Sequence, residues 1–260
     1  TYQTGTNASN GLSCYGSDAT GESALAFGRN GTASGDNAFT WGQGNFASAD
    51  SSTAWGRGNF ASADSSTAWG RGNSATQQRA TAWGNGNTAS GGSSTAWGVY
   101  NTASDWGSTA WGYGNTASGY HSTAWGEYNT VSGYLATVWG QNNTAESMGA
   151  TVMGISNIGG SASSNLWSWI EVDPLLEVAN GDWSNRSNAL TVLKNGQTTL
   201  TNKHWKAAVD AGGDATAEVI ATSAQVPDEN GSDIADPNDL SPIHLRRFRR
   251  RLSVHTAAPT

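Results

Sequence analysis

The chain has 260 residues, 34 of them glycine and only 5 proline, with 13% charged side chains and a net charge of −7. The acidic balance disfavours nucleic acid as a partner, no apolar stretch is long enough to cross a bilayer, and the lone Cys14 excludes both an intrachain disulfide and a cysteine-based zinc site. Leu, Ile and Val are too scarce before residue 155 for a thick aliphatic core, so the apolar content there resides in Ala and Trp.

Residues 1–16 form an N-terminal segment outside the repeat; the chain opens at Thr1, and no secretory signal is visible. From residue 17 to 160 one pattern returns every 14 residues without insertion or deletion. The invariance predicts stacked coils, because one slip in length disturbs the contacts above and below it. In a representative coil, Ser52-Thr53-Ala54-Trp55-Gly56 and Phe60-Ala61-Ser62 are short alternating stretches separated by Gly, Asn and Asp. That reads as strand, turn, strand, turn. The glycine load and the missing 3.6-residue stripe exclude a helix. The fold class is therefore all-β, a parallel β-roll solenoid with 14-residue coils. At about 4.8 Å per coil, ten coils give a rod of roughly 45–50 Å.

Alternation assigns the faces. Ser52, Ala54 and Gly56 share one face, Thr53 and Trp55 the other. So small a coil admits only Ser, Ala and Gly inside, with Ala61 from the second strand, so the Trp points outward. The result is a column of Phe27, Trp41, Trp55, Trp69, Trp83, Trp97, Trp111, Trp125, Trp139 and Met153. At about 150–250 Å² per aromatic, such a stripe exceeds the few hundred Å² of apolar patch usual on a soluble monomer. The same column on other copies of the chain covers it most economically, making these ten residues the candidate oligomer interface; the alternative is a free aromatic stripe that binds ligand. A second ladder, Asn45 to Asn157 at the same period, suits left-handed turn seats and stacked side-chain hydrogen bonds.

The repeat resembles the YadA-like head of trimeric autotransporter adhesins and related bacterial surface and tail-fibre-like proteins. The resemblance rests on Ser94-Thr95-Ala96-Trp97-Gly98 with Ala103-Ser104, and on Ala117-Ser118-Gly119 followed by Ser122-Thr123-Ala124-Trp125-Gly126, recurring in phase over about residues 17 to 160. It implies a left-handed parallel β-roll, three rolls in a homotrimer, and an extracellular or cell-surface location. It also implies that Trp41 to Trp139 and the neighbouring Thr53, Thr67, Thr81, Thr95, Thr109, Thr123 and Thr137 face the trimer axis. The family usually carries Val and Ile at these positions, so the interface expected here is aromatic and bulky. No heptads and no transmembrane-strand pattern like the family's stalk and anchor are visible after residue 205.

Residues 161–205 predict a small β-rich capping region. Leu166 to Ile170 and Leu175 to Val178 read as strands, and Ala189 to Lys194 with Gln197 to Leu200 as a hairpin on a type I′ Asn195-Gly196 turn. Its expected role is to close the open end of the solenoid, or to accept the next trimer and so build a filament. Residues 206–260 read as a mostly irregular tail. Eight basic against twenty acidic residues leave −12 over the first 240 residues, while Arg246, Arg247, Arg249, Arg250 and Arg251 make the end +5 and read as a solvated run.

No catalytic constellation stands out. His121, His204, His244 and His255 lack metal-ligand spacing, fragments such as Gly42-Gln43-Gly44 belong to the repeat, and Asp228 to Asp233 does not follow the calcium-loop pattern. The expectation is a non-enzyme without cofactor or metal: an extracellular structural and adhesive protein, a homotrimeric rod able to stack end to end into a surface fibre. A carbohydrate- or matrix-binding module is the alternative. Its candidate ligand residues are Trp106, Tyr100, Tyr113 and Tyr120, with Tyr128 and Tyr134, because these interrupt the repeat rather than sustain it. An ice-binding solenoid is the third reading, from the Thr88, Thr102, Thr116 and Thr130 ladder, although Phe46, Phe60 and Ser74 interrupt that face.

Overall fold

The computed structural model describes residues 2–4, 12–14, 16–159 and 166–200; the tail, its basic run and the Asp228 to Asp233 loop lie outside the described residues. The regular structure among those residues is entirely β. Each coil supplies one five-residue and one two-residue strand, as in Thr95–Val99 followed by Thr102–Ala103. Long strands stack on long strands in parallel and in register, Thr95 on Thr109, Trp97 on Trp111 and Gly98 on Gly112. The outcome is a fifteen-stranded sheet of long strands and a ten-stranded sheet of short ones. This is the parallel β-solenoid that the 14-residue period predicts.

The interior is as thin as the alternation requires. Ala96 and Ser94 of the long-strand segment and Ala103 of the short strand are fully buried, while Thr95 and Trp97 point out. Larger aliphatic groups fill the roll only towards its C-terminal end, at Val131, Val138 and Val152. The Gly after each Trp is demanded by the coil above it. At Gly98, φ is +105° and an added Cβ would lie 2.3 Å from the Gly112 carbonyl oxygen. No L side chain fits that approach.

The Asn ladder is present but works differently from the turn seat expected of it. The left-handed seat belongs to the residue before each Asn, such as Gly86 (φ 68°) before Asn87. The Asn side chain turns inward and is fully buried. Asn101 is typical. Its Nδ2 donates to Asn87 Oδ1 (3.1 Å), to the Trp97 carbonyl (2.9 Å) and to the Gly112 carbonyl of the next coil (2.9 Å). Its Oδ1 accepts from Asn115 N (2.9 Å) and Asn115 Nδ2 (3.1 Å). One residue type thus fastens three coils and satisfies buried carbonyls that the turn leaves free. The ladder starts at Asn45. One coil earlier Gly31 stands in the Asn position, the Ser17 hydroxyl accepts from the Gly31 N–H (3.1 Å), and the side chain of Thr40 occupies the space where a Gly31 Cβ would lie.

Both ends of the long-strand sheet change direction. At the N-terminal end Leu12–Cys14 runs parallel to Leu25–Arg29, and Tyr2–Thr4 pairs antiparallel outside it. At the other end Pro174–Asn180 lies parallel on Thr151–Ile155, followed by antiparallel Asn188–Leu193 and Thr198–Leu200. The short-strand sheet is finished by a side chain: Asn157 Oδ1 accepts from Thr144 N (2.7 Å) and its Nδ2 donates to the Thr144 carbonyl (2.8 Å), replacing a strand. Asn157 Nδ2 also donates to Glu177 Oε2 (2.7 Å), so a buried carboxylate ends the ladder, held from its other side by Asn188 Nδ2 (2.6 Å).

Two local expectations are corrected here. Leu166 to Ile170 forms no strand, because the sheet position after Thr151–Ile155 is taken by Pro174–Asn180; the segment turns across the side of the roll instead, with Leu166 C=O accepting from Tyr134 N (3.0 Å). The hairpin turn is not type I′. Gly196 takes positive φ (85°) and Asn195 does not, and a three-residue loop is closed by Gly196 N to Leu193 O (3.0 Å) and Leu193 N to Gln197 O (2.8 Å). Lys194 N donates to Asp173 O (3.0 Å) and Asn195 N to Glu171 O (2.9 Å), which tie the loop to the segment before Pro174–Asn180.

Candidate interaction surfaces

The ten residues expected to share one column do so. Pairing in register joins Phe27 to Trp41, each Trp to the next, and Trp139 to Met153, which continues onto Val178 of the cap. From Trp83 to Trp125 the rings stack with centroids 4.9 Å apart and planes within 3° of parallel, the spacing being the coil rise itself. Towards the N-terminal end the stack loosens. Trp41, Trp55 and Trp69 are 6.2 Å apart, tilted by 30° and 22°. They are also the most exposed members, at 57%, 53% and 40%. Stacking covers ring faces and leaves a continuous row of ring edges on one open sheet. Val178 is the member the sequence does not announce, since it lies beyond the repeat and enters the column only because its strand docks in register.

The expected ligand residues do not form one site. Tyr100 and Tyr113 lie on the edge where each long strand ends, Trp106 and Tyr120 on the edge where each long strand begins. On the first edge Tyr100 and Tyr113 meet edge to face at 6.3 Å, Tyr113 and Tyr128 at 5.1 Å, and Tyr128 and Trp183 at 5.8 Å. On the second, Tyr120 stacks on Tyr134 at 5.4 Å with Trp167 beside both, and Trp106 lies over Gly92 with the Arg79 guanidinium 5.9 Å from its ring. Trp167 and Trp183 escape sequence reasoning because they have no phase in the repeat.

Several edge residues are held in a costly conformation. Tyr100 and Tyr128 take φ of 57° and 54° at a position that is Gly in five other coils. Each ring folds over the Gly of the coil before it, Gly86 or Gly114, where even a Cβ would lie within 3 Å of the ring. The alternation of Gly and Tyr makes room for the rings.

Ionisable groups gather in the cap. Burial raises the Glu177 carboxyl above its ordinary range, against the Asn157 and Asn188 amides that favour its charged form. Burial also lowers the Lys194 ammonium, opposed by the Asp173 carboxylate 4.0 Å away, and Lys194 Nζ lies 5.1 Å from the centre of the Trp169 ring. Among the described residues no three His, Cys, Asp or Glu side chains group as a metal site. No helix of the described residues is long and apolar enough to cross a membrane. No protein-family model matches the chain, and no curated protein matches it.

Proposed function

We propose that the chain is an extracellular structural and adhesive protein that works as a homotrimeric rod, with three rolls turning their Trp columns towards a common axis, and that rods stack end to end into a surface fibre. The observation that carries this reading is the unbroken Trp column on an open sheet. Trp41, Trp55 and Trp69 are about half exposed and the other five rings less so; together they leave roughly 500 Å² of contiguous apolar surface, as large as the largest patch a monomer usually shows. Stacking of rods falls to the terminal strands Tyr2–Thr4 and Thr198–Leu200, the outermost strands of the long sheet. The test is mass in solution together with electron microscopy of the purified chain. Rods of three-chain mass, or fibres built from them, support the reading. A monomer whose tryptophans are freely quenched by acrylamide refutes it.

A carbohydrate- or matrix-binding module is the second reading, favoured by the exposed ridge of Tyr100, Tyr113, Tyr128 and Trp183. It expects binding on a glycan or matrix array that falls when Tyr113 or Trp106 becomes Ala; an array without binding refutes it.

A further inference from the structure

The two edges of the long-strand sheet change character at the same height. On the upstream edge, three residues before each long strand, stand Glu22, Asp36, Asp50 and Asp64, then Gln78 and Gly92, then Trp106, Tyr120, Tyr134 and Met148. The downstream edge, the last residue of each long strand, reads Arg29, Gln43, Arg57, Arg71 and Asn85, then Val99 and Tyr113, and ends at Ile155 after Glu127 and Gln141. Over the first four coils one edge is acidic and the other basic. Over the later coils the upstream edge carries Trp106, Tyr120, Tyr134 and Met148, and the downstream edge carries the Tyr100, Tyr113, Tyr128 and Trp183 ridge, with Glu127 and Gln141 polar beside it.

Among the described residues the charged rows are unmatched. All seven side chains are exposed, and the one ion pair among the described residues is Lys194 with Asp173. Asp36 and Asp50 each use one oxygen to accept a backbone N–H from the coil before, from Glu22 and Asp36. The seven steps from Asp64 to Arg71 span roughly 20 Å across the sheet, so the rows cannot reach each other around their own roll. Lined up at about 4.8 Å, like charges within each row repel. Opposite charge has to come from outside the described roll.

We propose that neighbouring copies of the chain dock edge to edge, the downstream edge of one roll on the upstream edge of the next, arginine row to acidic row over the first four coils and aromatic row to aromatic row above them. The inference rests on the assembly reading and deepens it by naming the contacts that fix orientation and height. In a ring of parallel rolls every downstream edge meets an upstream edge, the heterologous contact that cyclic symmetry requires. An antiparallel pair brings two downstream edges together with heights reversed, sets Arg29 against Ile155 and Arg71 against Tyr113, matches only Arg57 with a charge of opposite sign (Glu127), and leaves the acidic row unmet. Slippage by five coils lays charged rows on aromatic ones. The two halves together favour the parallel orientation with coils at the same height, where Arg29, Arg57 and Arg71 meet Glu22, Asp50 and Asp64. The rings of the second reading are covered in this arrangement, so the two readings exclude each other.

The test compares sedimentation mass against concentration for the full chain, for Arg57→Glu with Arg71→Glu, for Asp50→Arg with Asp64→Arg, and for all four together. Circular dichroism and thermal unfolding verify the fold of each, since Asp50→Arg forfeits one backbone hydrogen bond. Each double variant makes the two edges alike in sign at the third and fourth coils, and half-assembly is expected to need at least about a hundredfold more protein. The fourfold variant restores opposite rows, so it assembles with itself to within about tenfold of the original chain while excluding that chain from mixed assemblies. Raising salt from 0.1 to 1 M, which shrinks the screening length from about 10 to about 3 Å, weakens the original assembly. Double variants that assemble like the original overturn the edge docking and leave the trimer standing. An original chain that stays monomeric overturns both. Tyr113→Ser that leaves the mass unchanged and abolishes glycan binding overturns the aromatic half in favour of the second reading.

Discussion

Replacing Asn101 by Ala removes five polar contacts at once: three that share the two Nδ2 hydrogens, to Asn87, Trp97 and Gly112, and two accepted by Oδ1 from Asn115. The Asn115 N–H is then left facing a methyl group inside a roll too narrow to hydrate it. With about 1 kcal/mol net per bond and about 1–3 kcal/mol for an orphaned buried donor, the loss is about 3–5 kcal/mol, a large part of what holds an ordinary domain together. Asn101→Asp separates hydrogen bonding from packing. It keeps the volume and the Oδ1 acceptor but aims a second acceptor at the Trp97 and Gly112 carbonyls. The folded state therefore holds this carboxyl protonated to higher pH than the unfolded chain does. Stability is complete below the ordinary Asp range, near 3.9, and is lost as pH rises through the higher folded-state value. Urea unfolding followed by Trp fluorescence, with exchange of the Asn115 amide, measures both variants. Asn101→Ala should be destabilised at every pH, and Asn101→Asp should become the worse of the two near neutrality. A loss below about 1 kcal/mol for Ala, or a constant gap between the variants from pH 3.5 to 7, would refute the assignment of coil-to-coil cohesion to the ladder.

Gly84→Ala puts a Cβ 2.2 Å from the Gly98 carbonyl oxygen at φ of +111°. Coils five and six must separate, and a loss of about 4 kcal/mol or more, or no soluble fold, is expected from thermal unfolding. Tyr100→Gly acts the other way, relieving a left-handed Tyr at about 1–2 kcal/mol. Its urea midpoint should hold or rise, and a clear fall would mean that the ring over Gly86 returns more than the backbone costs. The cap has its own pH dependence. Because the folded-state value of Glu177 is raised, its contribution is full below the ordinary Glu range and is lost as pH rises through the raised value. Exchange at Asn157 and Asn188 should report a looser cap at pH 7 than at pH 4, and Glu177→Gln should flatten that difference.

Much of the roll is legible because one physical fact repeats. An alternation of period 2 within a repeat of period 14 assigns inward Ala96 and outward Trp97 without any tertiary information, and the in-register column follows from the absence of length changes. The Asn ladder is legible as a ladder but not as its mechanism. Whether Asn or the preceding Gly takes the left-handed seat depends on where the carbonyls of Trp97 and Gly112 come to lie, which is a property of the stack. Past residue 159 phase is lost, and with it the reading. Leu166 to Ile170 alternates well enough for a strand, yet Pro174–Asn180 wins the sheet edge. Trp167 and Trp183 are placed on the Tyr ridges only by contacts across the fold. Tyr100 and Trp106, six residues apart, look like neighbours, and the coil carries them to opposite edges.

A 14-residue coil separates folding from surface more sharply than a globular core does. Its interior holds mainly Ala and Ser beside the Asn ladder, so large apolar side chains are not needed to fill the roll and are placed outside it. Removing them should then cost little folding. Replacing Trp83, Trp97 and Trp111 together by Val keeps strand propensity and the inward face, and forfeits stacking contacts worth about 0.5–1.5 kcal/mol each. The roll should retain its circular dichroism and the slow exchange of the Asn87, Asn101 and Asn115 amides, while the sedimentation mass falls towards one chain. If the triple variant instead loses the roll, the column is part of the fold and not a surface. If it keeps both the roll and its assembled mass, the column is not the face on which chains meet.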